Sequence, residues 1–227
     1  MAYLSSKKNT VLITGANRGL GLSLARAFAN CGYHLILHCR HAMPELFDDA
    51  RIIMGDLEEQ TTIMCLHQYI FNCGGLDVLI NNAAIYRKHT LPLAGFAEIQ
   101  HVLNTNLYIP IQLTRLFWPF LKKRKGLVIN INSLAGKEGG EGELAYSVSK
   151  HGLAGFSKTL QFDGVRDNVR VTDVFLGAMA TGMVDSRNLN KEKLIDPTEV
   201  ADVVATLCST AYASLRIPEI TLLRSKY

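Results

Sequence analysis

Tyr146 and Lys150 stand four residues apart in the segment AYSVSK, with Ser133 thirteen residues before the tyrosine. Four residues is about one helical turn, so a helix through this segment puts the phenol and the amine on one face. An ammonium held beside a phenol stabilises the phenolate. A phenol of that kind gives up and takes back a proton readily, which is general acid–base chemistry. A serine hydroxyl nearby adds a donor for a carbonyl oxygen and for the alkoxide that develops from it. Each residue also has a plainer reading. Ser133 at a strand end can satisfy a turn backbone, and Asn106 can be a helix kink or cap. The set taken together favours chemistry.

A second group of residues supplies what such chemistry needs. The run TGANRGLG at 14–21 leads from the apolar stretch VLIT into the amphipathic stretch LSLARAF. Gly15 permits a tight turn, Gly19 lets the backbone approach a pyrophosphate, and Gly21 allows close approach of helix and strand. Asn17, Arg18 and Leu20 complete the turn, and the helix N-terminus after it presents free N–H groups to phosphate. A strand at 34–39 runs into Arg40 as His38-Cys39-Arg40, with no acid to accept a ribose 2′-hydroxyl or repel a 2′-phosphate. Arg18 and Arg40 offer charge-assisted bonds to that phosphate instead. NADP(H) is therefore favoured, with NAD(H) the alternative.

Elements must hold these groups together. Strands are expected at 10–14, 34–39, 51–54, 76–81, 127–132, 169–175 and 219–223. Helices are expected at 19–30, 59–72, 96–123 (with a break near 104–106), 145–164 and 197–209. Alternating strands and helices imply parallel βαβ units and right-handed crossovers. The expected fold is a single-domain α/β Rossmann fold over 1–227, a doubly wound seven-stranded parallel sheet with helices on both faces. Only HAMPELFDDA, containing Pro44, separates Arg40 from Arg51, so that connection is a loop rather than a crossover helix. The polar segment 177–196 reads as a substrate lid.

Composition sets the outer limits. At 227 residues, 48% hydrophobic and 19% charged, the chain suits one folded domain rather than two. A net charge of +4 without a dominating basic block gives no reason to expect a nucleic-acid partner. The apolar stretch at 107–120 is too short and too polar to span a bilayer, so no membrane partner is expected. Five scattered cysteines form no CxxC pair, which points to reduced thiols, a cytoplasmic location and no metal. His89, His101 and His151 invite a catalytic reading, but His151 points about 100° from Lys150 on a helix and is read as a packing or interface residue. The Lys122–Lys125 run is read as a solvated helix end.

On these residues the chain resembles the short-chain dehydrogenase/reductase family from Val11 to about Leu223. The motifs are TGANRGLG, Asp56 in GDLEE, NNAA at 81–84, Asn106 in NTN, Ser133 in NINS, and YSVSK at 146–150. The resemblance implies that Asp56 and Leu57 flank an adenine, and that Asn82 and Ala83 lie in a turn beside the cofactor. It implies that Gly177, Met179 and Thr181 border the nicotinamide carboxamide, and that Asn106 holds a water linking Lys150 to solvent. The implied activity is reversible reduction of a ketone or aldehyde by NADPH. In it Tyr146 is the acid/base, Ser133 the carbonyl polariser, and Lys150 the group that tunes Tyr146 and bonds the nicotinamide ribose. A homodimer or homotetramer is implied; Leu107, Ile111, Phe117, Phe156 and Leu160 offer apolar surface for it or, equally, for ordinary packing onto the sheet. Ala84, Leu176, the short second connection and the C-terminal RIPEITLLRSKY depart from the family pattern. Two other functions fit less well: a non-catalytic NADP(H)-binding regulator, and a 3-oxoacyl-carrier-protein reductase-like enzyme. Glu138, Glu141 and Glu143, in the loop before Tyr146, would repel anionic substrates if they face the site.

Overall fold

In the computed structural model, residues 8–180, 194–209 and 212–224 are described. Thr181 and most of the expected lid lie outside them. Seven parallel strands form one sheet in the order β3-β2-β1-β4-β5-β6-β7. They are β1 (Thr10–Ile13), β2 (His34–Cys39), β3 (Ala50–Met54), β4 (Val78–Asn81), β5 (Leu127–Ser133), β6 (Arg170–Leu176) and β7 (Glu219–Leu222). The helices are α1 (Gly19–Asn30), α2 (Gln60–Asn72), α3 (Phe96–Leu103), α4 (Ile109–Arg124), α5 (Leu144–Asp167) and α6 (Pro197–Leu207).

Period-two alternation in the strands divides the core between the two faces. Val11, Ile13, Leu35, Leu37, Val78 and Ile80 point to one side, against Leu24 and Phe28 of α1 and Val200 and Val204 of α6. Leu12, Ile36, Leu79 and Val128 point to the other, against Leu66 of α2, Phe117 of α4 and Leu160 of α5. Both faces are covered, as a parallel sheet requires. Strand order reverses between β1 and β4, and this switch point opens the crevice in which such sheets bind ligands.

No helix joins β2 to β3. Met43 and Phe47 of the connection pack against the core in its place, and Arg26 of α1 grips Glu45 with two 2.8 Å bonds. Under this thin cover only Ile53 of β3 is buried, and Arg51 and Met54 are exposed.

The expected long helix at 96–123 is two helices joined by one π-helical turn, Asn104–Tyr108. Helix α5 runs three residues beyond the expected end and stops where Asn168 adopts a left-handed conformation (φ 57°). Lys125, also left-handed (φ 52°), ends α4. Of the apolar residues that could serve either a subunit interface or the sheet, Phe117 and Leu160 do the latter: both are buried against the sheet of their own chain.

Candidate active site

The glycine turn is built as tightly as its sequence demands. Gly15 and Gly19 have φ of +67° and +51°, conformations open chiefly to glycine. A Cβ on Gly21 would lie 2.1 Å from the Gly15 carbonyl oxygen, so α1 starts directly against the turn. Its first turn carries no acidic residue to compete with an anion. Asn82, just past β4, locks the turn from behind: its Nδ2 donates to Thr14 O (2.8 Å) and Gly15 O (3.2 Å). Thr14 Oγ1 in turn accepts from the N–H groups of Asn82 and Ala83, both at 3.0 Å.

His38 closes the other side. Gly15 N–H points to His38 Nδ1 (3.4 Å), and with that nitrogen accepting, the ring proton sits on Nε2 and goes to Gly55 O (3.1 Å). Burial holds the imidazole below its ordinary value, in keeping with a neutral ring. Arg40, the next residue but one, lies 3.9 Å from Asp56, so an acid reaches this arginine from the end of β3. Nothing at the end of β2 signals this acid, because it arrives from the neighbouring strand.

Across the cleft, α5 carries Tyr146 and Lys150 on one face, with the amine 5.8 Å from the phenol ring centroid. Lys150 is 3% exposed, and its Nζ donates to Ile131 O (2.8 Å). Burial pushes this amine down to about 8, against a smaller upward pull from Asp173. Ser133 ends β5. Its Oγ accepts from Ala135 N–H (3.2 Å), the turn-capping bond of the plainer reading, and this leaves the hydroxyl hydrogen free to donate elsewhere. Tyr86 packs edge-on against Tyr146, with centroids 5.1 Å apart, and its hydroxyl donates to Glu143 Oε1 (3.0 Å).

A single cleft of about 480 Å³ joins these groups, in the range of small-molecule sites. Gly15, Asn17, Arg18, Gly19, Leu20, Gly21, Arg40, Asp56, Leu57, Asn82 and Ala83 line one part of it. Ser133, Tyr146, Lys150, Gly177 and Met179 line the other. Asn106 does not reach it. The π turn buries this side chain, which accepts from Ile85 N–H (2.8 Å) and donates to Ile85 O (2.9 Å) and Ser149 Oγ (3.1 Å). Glu138 and Glu143 do line the cleft, whereas Glu141 does not. The ends of the expected lid are tied together by Ala180 N–H to Ile195 O (2.9 Å) and Ile195 N–H to Ala178 O (3.0 Å).

Tyr86 belongs to no motif, and nothing in the sequence marks it or the His38 ring as part of the site. Glu143 is expected near the cleft as a repelling acid, but not as the partner of Tyr86. His89, His101 and His151 lie outside the cleft, bonded to Glu98, Glu58 and the Ser147 carbonyl.

Comparison with known proteins places this geometry among relatives. The model of the short chain dehydrogenase family matches residues 9–192. An acetoacetyl-CoA reductase of Acinetobacter sp. is 30% identical, over 90% of this chain and 92% of its own length. The ketoacyl reductase HetN of Nostoc sp. is 35% identical, over 90% of this chain and 76% of its own. An alcohol dehydrogenase of the archaeon Thermococcus sibiricus, solved with 5-hydroxy-NADP, superposes with a TM-score of 0.85 at 23% identity, covering 97% of this chain and all of that one.

Proposed function

The chain belongs to the short-chain dehydrogenase/reductase family, and we propose that it is an NADP(H)-dependent oxidoreductase interconverting a ketone or aldehyde with its alcohol. The observation that carries this reading is the meeting of Ser133, Tyr146 and Lys150 with the glycine turn in one cleft. Positive φ at Gly15 and Gly19, and the absence of room for any side chain at Gly21, suit a turn that a pyrophosphate approaches closely.

In this reading the backbone of 15–21 and the start of α1 hold the pyrophosphate. Arg18 and Arg40 take the ribose 2′-phosphate, and Asp56 and Leu57 flank the adenine. Asn82, Ala83, Gly177, Met179 and Thr181 border the nicotinamide, which when bound supplies or accepts the hydride. Tyr146 protonates the carbonyl oxygen during reduction and takes the proton back during oxidation. Ser133 has its hydroxyl hydrogen available for the same oxygen, since the bond from Ala135 N–H occupies only one of its two lone pairs. The Lys150 ammonium favours the phenolate of Tyr146 and bonds the nicotinamide ribose. Asn106 is assigned the water that connects Lys150 to solvent. With its side chain spent on Ile85 and Ser149, that role is left to its main chain.

The substrate is small or medium and uncharged, since Glu138 and Glu143 face the cleft. A 3-oxoacyl thioester is the second reading, favoured by the acetoacetyl-CoA and ketoacyl reductases among the relatives. Five scattered cysteines with no disulfide among them suit a cytoplasmic location, which forms part of this reading. Exposed Val148, Phe162 and Val165 on α5 support a homodimer or homotetramer, which a monomer mass in light scattering would refute.

NADPH oxidation against a panel of ketones, aldehydes and acetoacetyl-CoA tests the reading. Tyr146→Phe should lower kcat by about 10²–10⁴-fold and leave NADPH affinity unchanged. Binding without turnover of any carbonyl, or full activity in Tyr146→Phe, would instead make the protein a cofactor-binding regulator.

A further inference from the structure

Behind the cleft, on the sheet face covered by α4 and α5, polar side chains share one register row. Asn81, Asn130, Asp173 and Glu219 are partners across β4, β5, β6 and β7. Asn81 Nδ2 donates to Asn130 Oδ1 (2.8 Å), and Asn130 Nδ2 donates to Ser157 Oγ (2.8 Å). Two residues along β5, Asn132 joins this row to the site. Its Oδ1 accepts from Ser133 N–H (2.8 Å), and its Nδ2 donates to Lys150 O (3.3 Å) and Asp173 Oδ2 (3.2 Å). The amide has no room to turn. A Cβ at Gly136 would stand 2.7 Å from Asn132 Oδ1 and 2.8 Å from Lys150 O.

Asp173 is 3% exposed; its second oxygen, Oδ1, is buried with no hydrogen bond of good geometry, and the Ser157 hydroxyl lies close enough to favour the charged form. A carboxylate in that position is costly unless an opposite charge shares its surroundings. Lys150 is that charge. It is equally buried and gives its short bond to Ile131 O rather than to the carboxylate. The other groups around Asp173 are Ser157 from α5, Asn130 and Asn132 from β5, and Glu219 from β7, which Lys137 already pairs at 2.8 Å.

We infer that Asp173 is the buried counter-charge of Lys150 and, with Asn132, a positioning unit for the reaction. The carboxylate keeps the amine protonated while Asn132 fixes the backbone of Ser133 and Lys150. The inference rests on the roles proposed above for Ser133, Tyr146 and Lys150. It accords with the direction of both shifts. Burial pushes Asp173 up to about 6 and Lys150 down to about 8, and each charge opposes the other's neutralisation. Both are ionised between those values, the range in which the Lys150 ammonium can act on Tyr146. Without the carboxylate, Lys150 loses its proton at lower pH and its hold on the phenolate goes with it.

The test compares the parent with Asp173→Asn, which keeps an acceptor for Asn132, and with the smaller Asp173→Ser. In cofactor-free protein labelled with 13Cε-lysine, the Lys150 signal (assigned with Lys150→Met) should titrate about one unit lower in both variants. The alkaline limb of kcat against pH should move the same way, with KM for the carbonyl compound little changed. In the parent, the Lys150 signal should show a second, smaller step as Asp173 titrates, a readout that needs no variant to fold. Unmoved Lys150 titration in folded variants, or no second step in the parent, overturns the inference. A parent that turns over no carbonyl compound refutes the proposed function instead, and the Lys150 titration still decides the counter-charge.

Discussion

Lys150 is where burial and chemistry meet most directly. Its ordinary value is 10.5, and in the folded chain burial lowers it to about 8. Between those values the unfolded chain holds a proton that the folded chain has released, so stability should rise with pH from about 8 to 10.5. Asp173 works in a lower window. Its value is raised from 3.8 to about 6, so the folded state binds the extra proton there, and that stabilisation is present below 3.8 and lost as pH rises through 6. Urea midpoints measured from pH 7 to pH 10 should climb relative to those of Lys150→Met. Parallel curves for the two proteins would mean that the amine is solvated after all. Ser133 and Asn106 show how a plain reading and a functional one can both hold for one residue. Each makes the backbone bonds that a turn or kink would need, and only for Ser133 do those bonds leave the side chain facing the cleft.

At the scale of elements, the β1–α1 turn is the least forgiving part of the molecule. The Gly15 carbonyl accepts from Asn82 and sits where a Gly21 side chain would have to be. Gly21→Ala should therefore push α1 away from the turn, at a cost of about 1–3 kcal/mol in stability, and weaken cofactor binding further because the phosphate cradle opens. Denaturant unfolding and NADPH fluorescence titration measure the two effects, and an alanine variant equal to the parent in both would show that the turn has slack. The π turn before α4 was legible only as a break. The run NTN signals a helix that cannot continue evenly, but nothing local says whether the chain kinks, stops or widens. The answer lies in Ile85, whose backbone reaches Asn106 from another segment.

For the whole molecule, cofactor choice depends on charges that the sheet brings to one crevice. Arg40 follows β2 and Asp56 follows β3, and the parallel register sets them 3.9 Å apart. The acid tempers the arginine's appeal to a 2′-phosphate without removing it, since both side chains remain substantially exposed. Arg40→Ala should raise the Kd for NADPH about tenfold, the loss of one charge-assisted bond, and leave that for NADH nearly unchanged. Equal losses for both cofactors would place Arg40 away from the 2′-phosphate. The same assembly decides what the sequence leaves open for Phe117 and Leu160. An apolar residue on a helix looks alike in sequence whether it faces its own sheet or a second subunit, and only the orientation of α4 and α5 on β4 and β5 separates the two.

By itself the order of residues determined the alternation of strand and helix, the glycine turn, the missing second crossover helix, and the phenol and amine one turn apart on α5. These are local properties: side-chain period, backbone freedom and the reach of a single helical turn act within a few residues of chain. Folding in three dimensions decided the Asn132–Asp173 brace, the Tyr86–Glu143 contact, the neutral role of His38 and the approach of Asp56 to Arg40. Each joins residues from different strands or loops, and the register of a parallel sheet is set by burial on both faces of the whole domain rather than by any one segment.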